Sequence, residues 1–182
     1  AEKLKNKNIT SKFVEGLRVT DKDTFKVVED VLANDINAEI VKSIRDSGGR
    51  AIGLSGNKNN LLTATKLKIE IENSDSNIEK IVDIGFVGQP TKVNINLINK
   101  HINEGEIPVI APLGMDSEGN SYNINADTAA GFIAGELKAS KLLLLTDVMG
   151  ILDQEKKLIS SLTLENASKI IHEDFIVGGM KP

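Results

Sequence analysis

The uninterrupted apolar runs AIGLS (51–55), IPVIAPLG (107–114) and KLLLLTDV (141–148) constrain this chain more than any other feature of it. A strand with one wet face alternates polar and apolar residues, whereas a continuous run needs cover on both faces, as in a parallel sheet flanked by helices. The intervening segments supply that cover. In TDKDTFKVVEDVLANDINAEIVKSIRDS, Phe25, Val28, Leu32, Ile36, Ile40 and Ile44 recur at helical spacing. Thr20, three residues before Asp23, resembles a capping pair that opens this helix, and Gly48 and Gly49 close it. Such alternation predicts an α/β fold, a three-layer αβα sandwich around an open, mainly parallel sheet.

The remaining elements fit that frame. KFVEGLRVT (12–20) reads as a short strand or hairpin around Gly16, TKLKIEIE (65–72) as a half-exposed strand, and EKIVDIGFVG (79–88) as another strand. IEIENSDSNIEK between the last two reads as a solvated hairpin. Pro90 fits the first turn of a helix through QPTKVNINLINKHINEG. DSEGN (116–120) is a turn, helices are expected from Asn125 to about Ala139 and from Leu164 to His172, and GNKNN (56–60) is a loop. No repeat or Gly-, Pro- or Ser-rich linker divides the 182 residues, so they read as one domain, 1–182.

Composition excludes several function classes. With 26% charged residues and a net charge of −4, no cationic excess competes for nucleic-acid phosphates. The absence of cysteine removes disulfide and thiolate chemistry from these residues. No apolar run reaches the ~18 residues of a membrane span, and the polar start AEKLKNKN is followed by no signal-peptide core. The reading is a soluble, cytoplasmic protein without nucleic-acid or membrane partners.

In open α/β sheets, ligands sit beyond the carboxyl ends of strands, in loops that open the next helix. The segment YNINADTAAG is such a place. Asn125 is a natural N-cap and Asp127 falls in the first helical turn, which ordinary capping explains. Asn123 is superfluous to a cap, and its amide is suited to a ligand. An aspartate in this position can hold a lysine or a metal in register against a phosphate. In LLLLTDVMG, Thr146 and Asp147 emerge at the end of an apolar run and Gly150 permits a close turn. This is either turn structure or a nucleotide contact. Arg18 is the only charge within GLRVT, and arginine pairs with carboxylates and phosphates, although an exposed ion pair would also account for it. His101 and His172 read as solvated surface, and SGNKNN lacks the glycine spacing of phosphate-binding loops.

Taken in order, GLRVTD, AIGLSG, VDIGFVG, PVIAPLG, YNINADTAAG, LLLLTDVMGILD and GGMKP resemble the amino acid kinase family over nearly the whole chain. Within it they are similar to the branch that phosphorylates N-acetyl-L-glutamate. YNINADTAA with LLLLTDV is the specific combination. The resemblance implies transfer of the γ-phosphoryl group of ATP, carried with Mg2+, to the side-chain carboxylate of N-acetyl-L-glutamate in arginine biosynthesis. No metal ligand in the chain is implied. It further implies that Arg18 binds the substrate α-carboxylate, that Asn123 and Asn125 line the same pocket, and that Asp127 organises two catalytic lysines. Thr146, Asp147 and Gly150 would meet the ATP. A homodimer or homohexamer is implied for the full-length protein.

The chain departs from the family pattern at its ends. The Lys-Gly-Gly strand end and the Gly-rich phosphate loop have no counterpart, and the second lysine is expected three residues after Met180, past Pro182; Lys181 stands in a different slot. The isolated residues are therefore expected to be nearly inactive, because each lysine stabilises transferred charge. Three other readings stand beside this one: a sister kinase acting on glutamate, aspartate or uridylate, a non-catalytic acetylglutamate sensor, and an α/β interaction domain that binds neither ligand.

Overall fold

The computed structural model describes residues 12–14, 17–72, 79–146 and 150–170. Strands β1 (Phe13–Val14) and β2 (Leu17–Arg18) form an antiparallel hairpin, matching the expected hairpin. One long helical stretch follows: α1 (Lys22–Asp30), a π-helical segment Val31–Ile36, and α2 (Asn37–Asp46). Then come β3 (Ala51–Ser55), the paired β4 (Leu62–Glu72) and β5 (Glu79–Val93), and α3 (Ile95–Asn103). The chain continues through β6 (Ile107–Ala111), β7 (Leu113–Met115), β8 (Ser121–Asn123), α4 (Ala126–Glu136) and α5 (Leu164–Ile170).

The α/β class is borne out. β3 and β6 pair in parallel from Ala51 with Ile107 to Ser55 with Ala111, α2 packs on both strands, and α3 packs on β6. The remaining long strands form a small closed barrel in the order β4, β5, β8, β7. Its closure needs two backbones without side chains. A Cβ on Gly114 would stand 2.7 Å from both the Ala64 Cβ and the Ile124 Cδ1, and one on Gly88 would stand 2.6 Å from the Tyr122 Cβ. Leu62, Ala64, Val93, Tyr122 and Ile124 fill the centre, with Ile98 and Ala129 packed alongside. A second cluster of Phe25, Ala111 and Leu113 joins α1 to the strand ends, and the Phe25 and Phe86 rings lie 5.7 Å apart.

Four expectations shift. The cap of α1 is Asp21, whose Oδ1 accepts from the Thr24 N–H at 2.8 Å; Thr20 is instead fully buried and bridges to Gly85. Pro90 lies inside β5 rather than at a helix start. It sits opposite Ala64 beside a register shift, the kind of strand irregularity at which proline is tolerated, and the helix begins only after the Asn94 cap. The apolar run at 141–146 joins no sheet among the described residues, and Leu143 and Leu145 are 74% and 97% exposed. A run of leucines becomes a strand only where a neighbouring strand takes its hydrogen bonds, and none of the described strands pairs with it.

The fourth shift is in helix phase. Of the expected apolar stripe, Phe25 is buried, but Ile36 and Ile40 are 41% and 43% exposed, while Asn37 and Val41 are buried in their place. The wide turn at Val31–Ile36 advances the phase by one residue, because a π turn holds more residues than an α turn. It thereby turns an asparagine inward. The Asn37 Nδ2 donates to the Val109 carbonyl of β6 at 2.8 Å and to the Leu54 carbonyl of β3 at 3.3 Å. Gly53 makes room for it, since a Cβ there would stand 2.1 Å from the Asn37 Oδ1. Asn37→Ala should destabilise the fold by about 1–3 kcal/mol, because it removes both hydrogen bonds that tie α2 to β3 and β6. Ile36→Ala should stay within about 0.5 kcal/mol. Urea unfolding midpoints at constant slope would check both, and an equal loss for the two would contradict the phase shift.

Candidate functional site

Strand β5 gathers the candidate residues. The chain leaving Arg18 reaches Thr20, whose N–H donates to the Ile84 carbonyl at 2.9 Å and whose carbonyl accepts from the Phe86 N–H at 2.6 Å. This approach depends on Gly85. Its φ is +80°, and a Cβ there would stand 2.1 Å from the Thr20 oxygen. Two residues further along β5, Val87 pairs with Asn123 of β8, which also pairs with Leu113 of β7. Arg18, Asn123, Asn125 and Asp127 are thus brought onto adjoining segments around one stretch of β5.

Each of these residues has a local reason for its place. Arg18 is half-buried in β2, its guanidinium carbon 4.7 Å from the centre of the Phe13 ring across the hairpin, a cation–π contact. Asn125 is the N-cap of α4, its Oδ1 accepting from the Thr128 N–H at 3.0 Å, as capping chemistry predicts. Asp127 is exposed in the first turn of the same helix, where the helix dipole favours a carboxylate. Asn123 is half-buried at the end of β8. Thr146 lies on the exposed run at 141–146, and no strand pairing among the described residues ties it to this group. Gly150 has a φ of +134° in a turn beside Leu158, and Asp147 lies outside the described residues, as does His172.

A polar turn supports β8 from below. The Asp116 carboxylate accepts from the backbone N–H groups of Glu118 and Asn120, from the Asn120 side chain at 2.9 Å and from the Tyr122 hydroxyl at 2.8 Å. The Asn120 side chain leads these bonds in holding the Asp116 carboxyl down to about 2, against its partial desolvation. Burial pushes the Tyr122 hydroxyl up to about 12, reinforced by the hydrogen bond to Asp116.

Two polar groups that the sequence reading passed over are internal. Asn57, read as part of a plain loop, is only 1% exposed and joins Ser55, Glu29 and Ser121. The available signal was its position, directly past the carboxyl end of an apolar strand. His101 is not solvated surface: its side chain is 12% exposed and its Nδ1 lies 2.8 Å from Glu106, with Glu104 at 3.9 Å. That trio could meet a metal ion by its spacing. It stands at the amino end of β6, one five-residue strand or roughly 17 Å from the edge that carries Asn123. The existing contact of His101 with Glu106 ties α3 to the start of β6 without an ion.

Two surface clefts are of ligand size. One of about 610 Å³ is lined by Asn60, Thr63, Lys92 and the start of α3, and one of about 450 Å³ by Lys26, Glu29, Ser55 and Lys58. Neither is lined by Arg18, Asn123, Asn125 or Asp127, and the pairing around β5 is the stronger guide to the site. Among the described residues, no helix is long and apolar enough to cross a membrane.

An α/β domain that gathers polar side chains where a strand runs into a helix is the class this geometry defines. Comparison narrows it: the model of the amino acid kinase family matches residues 1–182, and the chain belongs to that family. It is 50% identical to the acetylglutamate kinase of Nitrobacter hamburgensis over 182 residues, covering all of this chain and 61% of that protein. It is also 50% identical to the acetylglutamate kinase of Afipia carboxidovorans over 174 residues, covering 96% and 59%. The chain therefore spans about three fifths of the curated relatives it matches. Among solved structures, smu.665 from Streptococcus mutans superposes with a TM-score of 0.82 at 27% identity, over 100% of this chain and 69% of that one. The N-acetylglutamate synthase of Neisseria gonorrhoeae, complexed with coenzyme A and N-acetyl-glutamate, shares the fold with a TM-score of 0.73 at 24% identity, over 94% of this chain and 37% of that one.

Tyr122 is the sole tyrosine and tryptophan is absent, so the ultraviolet absorbance of the phenolate reports it alone. Titration should show the phenol ionising near 12 rather than at its ordinary value of 10.0. Neutral Tyr122 then contributes stability that is intact below pH 10 and lost as pH rises through about 12. Asp116 behaves oppositely, contributing stability above its ordinary 3.8 that is lost as pH falls through about 2. In Asp116→Asn the phenol should ionise at lower pH, and an unchanged titration would contradict the bond.

Proposed function

We propose that this chain carries the acyl-acceptor side of an acetylglutamate kinase, which transfers the γ-phosphoryl group of ATP to the side-chain carboxylate of N-acetyl-L-glutamate. The arrangement around β5 carries the reading. A half-buried arginine and a strand-end asparagine adjoin a helix start, in a chain half identical to acetylglutamate kinases.

Phosphoryl transfer between two anions is chiefly a matter of positioning and of neutralising charge. Arg18 supplies a planar, permanently charged fork for the α-carboxylate of the acceptor. Asn123 hydrogen-bonds the acceptor near its reacting end. The Asn125 carbonyl oxygen is committed to the cap of α4, so what this residue offers a ligand is its amide nitrogen. The γ-carboxylate is already ionised at neutral pH and needs no base. One of its oxygens forms a bond to the γ-phosphorus as the bond from that phosphorus to the bridging oxygen of ADP breaks, giving an acyl phosphate. Asp127 then acts by orienting cationic groups near the transferred phosphoryl, not by removing a proton.

ATP would meet Thr146, Asp147 and Gly150 on the far side. Magnesium, carried on the nucleotide, would screen the phosphate charges. The exposed Asp127 carboxylate is of the hard-oxygen type that suits such an ion, so the residues present are compatible with it. On the same reading the full-length protein is a cytoplasmic homodimer or homohexamer.

The test uses the chain with its natural flanking sequence and the acceptors N-acetyl-L-glutamate, glutamate, aspartate and UMP, each with ATP and magnesium. Only acetylglutamate should be phosphorylated. Arg18→Ala should raise its KM by about 10–100-fold, the value of a charge-assisted contact, and Asp127→Ala should lower kcat by about 100-fold or more. Tight acetylglutamate binding without turnover would replace the kinase by a sensor, and turnover of another acceptor would move the protein to a sister enzyme.

A further inference from the structure

Asn57 sits immediately past the carboxyl end of β3 and is 1% exposed, although it belongs to a loop. A buried amide is costly unless its polar groups are matched, and here they are. Its Oδ1 accepts from the Ser55 hydroxyl at 2.6 Å. Its Nδ2 donates one hydrogen to the Glu29 carboxylate at 2.7 Å and the other to the Ser121 Oγ at 3.0 Å. Both donors are spent inside the protein, so Asn57 has no N–H left for a ligand.

The two acceptors lie on the two segments that frame the proposed acceptor pocket. Glu29 is on α1, the helix that follows the Arg18 hairpin directly and packs on β8. Ser121 begins β8, two residues before Asn123. Strand side chains alternate, so Ser121 and Asn123 point to the same face, while Tyr122 between them is buried in the barrel. One amide therefore ties the helix leading from Arg18 to the strand face that presents Asn123. We propose that Asn57 is a positioning residue that sets the spacing between the Arg18 and Asn123 sides of the acceptor pocket. This proposal rests on the function proposed above.

Its chemistry is specific. Alanine leaves the Glu29 carboxylate and the Ser121 hydroxyl without their shared donor. Aspartate is similar in shape but places a carboxylate against Glu29 and donates nothing until it is protonated. The effect should fall on the acceptor, because both tethered segments adjoin acceptor-side residues directly, whereas Thr146 is reached from β8 only after the whole of α4.

The experiment measures KM for N-acetyl-L-glutamate, KM for ATP, kcat and thermal midpoint in the protein with its natural flanking sequence. Asn57→Ala should raise the acetylglutamate KM by about tenfold and lower kcat, while the ATP KM stays within about twofold, the pattern of a mispositioned acceptor. In Asn57→Asp the acetylglutamate KM should fall towards the wild-type value as pH is lowered from 8 to 6, when protonation restores one donor, at about unchanged ATP KM. Glu29→Gln keeps an acceptor oxygen and should bring the acetylglutamate KM back below that of Glu29→Ala. If Asn57→Ala does not fold, Ser121→Ala carries the same test. A lowered thermal midpoint with both KM values unchanged reduces Asn57 to a purely structural tie, and an equal rise in both KM values also overturns the proposal. Wild-type protein that does not phosphorylate acetylglutamate overturns the function itself, before any variant is compared.

Discussion

Much of this structure depends on the Asn37 side chain, a single amide that donates to carbonyls of both parallel strands. Two parallel strands alone make a weak unit, and the helix stretch that covers them must be fixed in rotation as well as position. An apolar side chain could cover the strands at many rotations, but an amide with a bond to each strand permits one. β3 and β6 are set by this contact, and their carboxyl ends feed directly into the Asn57 loop and into β7. The position of β8, and of Asn123 with it, is therefore settled in part by a residue of α2, outside the barrel to which β8 belongs. The cost of that precision is a π-helical turn, which leaves Ile36 and Ile40 partly in water.

The second constraint is steric. Gly85 lets the backbone at Thr20 pair with β5, and Gly88 and Gly114 let the barrel close to a diameter that larger residues would prevent. None of these glycines contributes chemistry. They decide how near Arg18 and Asn123 can stand to the same strand, and in a transfer between two anions that distance matters more than any one side chain's reactivity. The same reasoning explains why the polar groups near the site fall into two kinds. Asp116, Tyr122 and Asn57 are saturated by internal partners, while Asp127 is exposed at a helix start.

The motif residues were readable because their chemistry is local. Asn125 caps a helix and Asp127 sits in its first turn whatever the rest of the chain does, and the turn at DSEGN follows from Asp116 and its neighbours alone. Arg18 could be singled out by its isolation among apolar residues, and its half-buried place against Phe13 agrees with that. Asn57 and His101 were misjudged for a common reason. A polar residue in a loop or late in a helix is ordinarily wet, and only a distant segment supplying matched partners makes it worth burying.

By itself, then, the sequence determined the α/β class, the hairpin at 12–20, the bounds of β3 and the start of α4, all of which follow from periodicity, turn residues and capping over a few positions. Tertiary structure decided the rest. It chose Asn37 over Ile36 for the inside of the helix, placed Pro90 in a strand at a register shift, and buried Asn57 between α1 and β8. It also left Leu143 and Leu145 exposed and, among the described residues, outside any sheet despite their strand-like run. Each of these outcomes turns on a hydrogen-bond partner supplied, or not supplied, by a segment far away in the chain, and local patterning carries no record of where that partner will be.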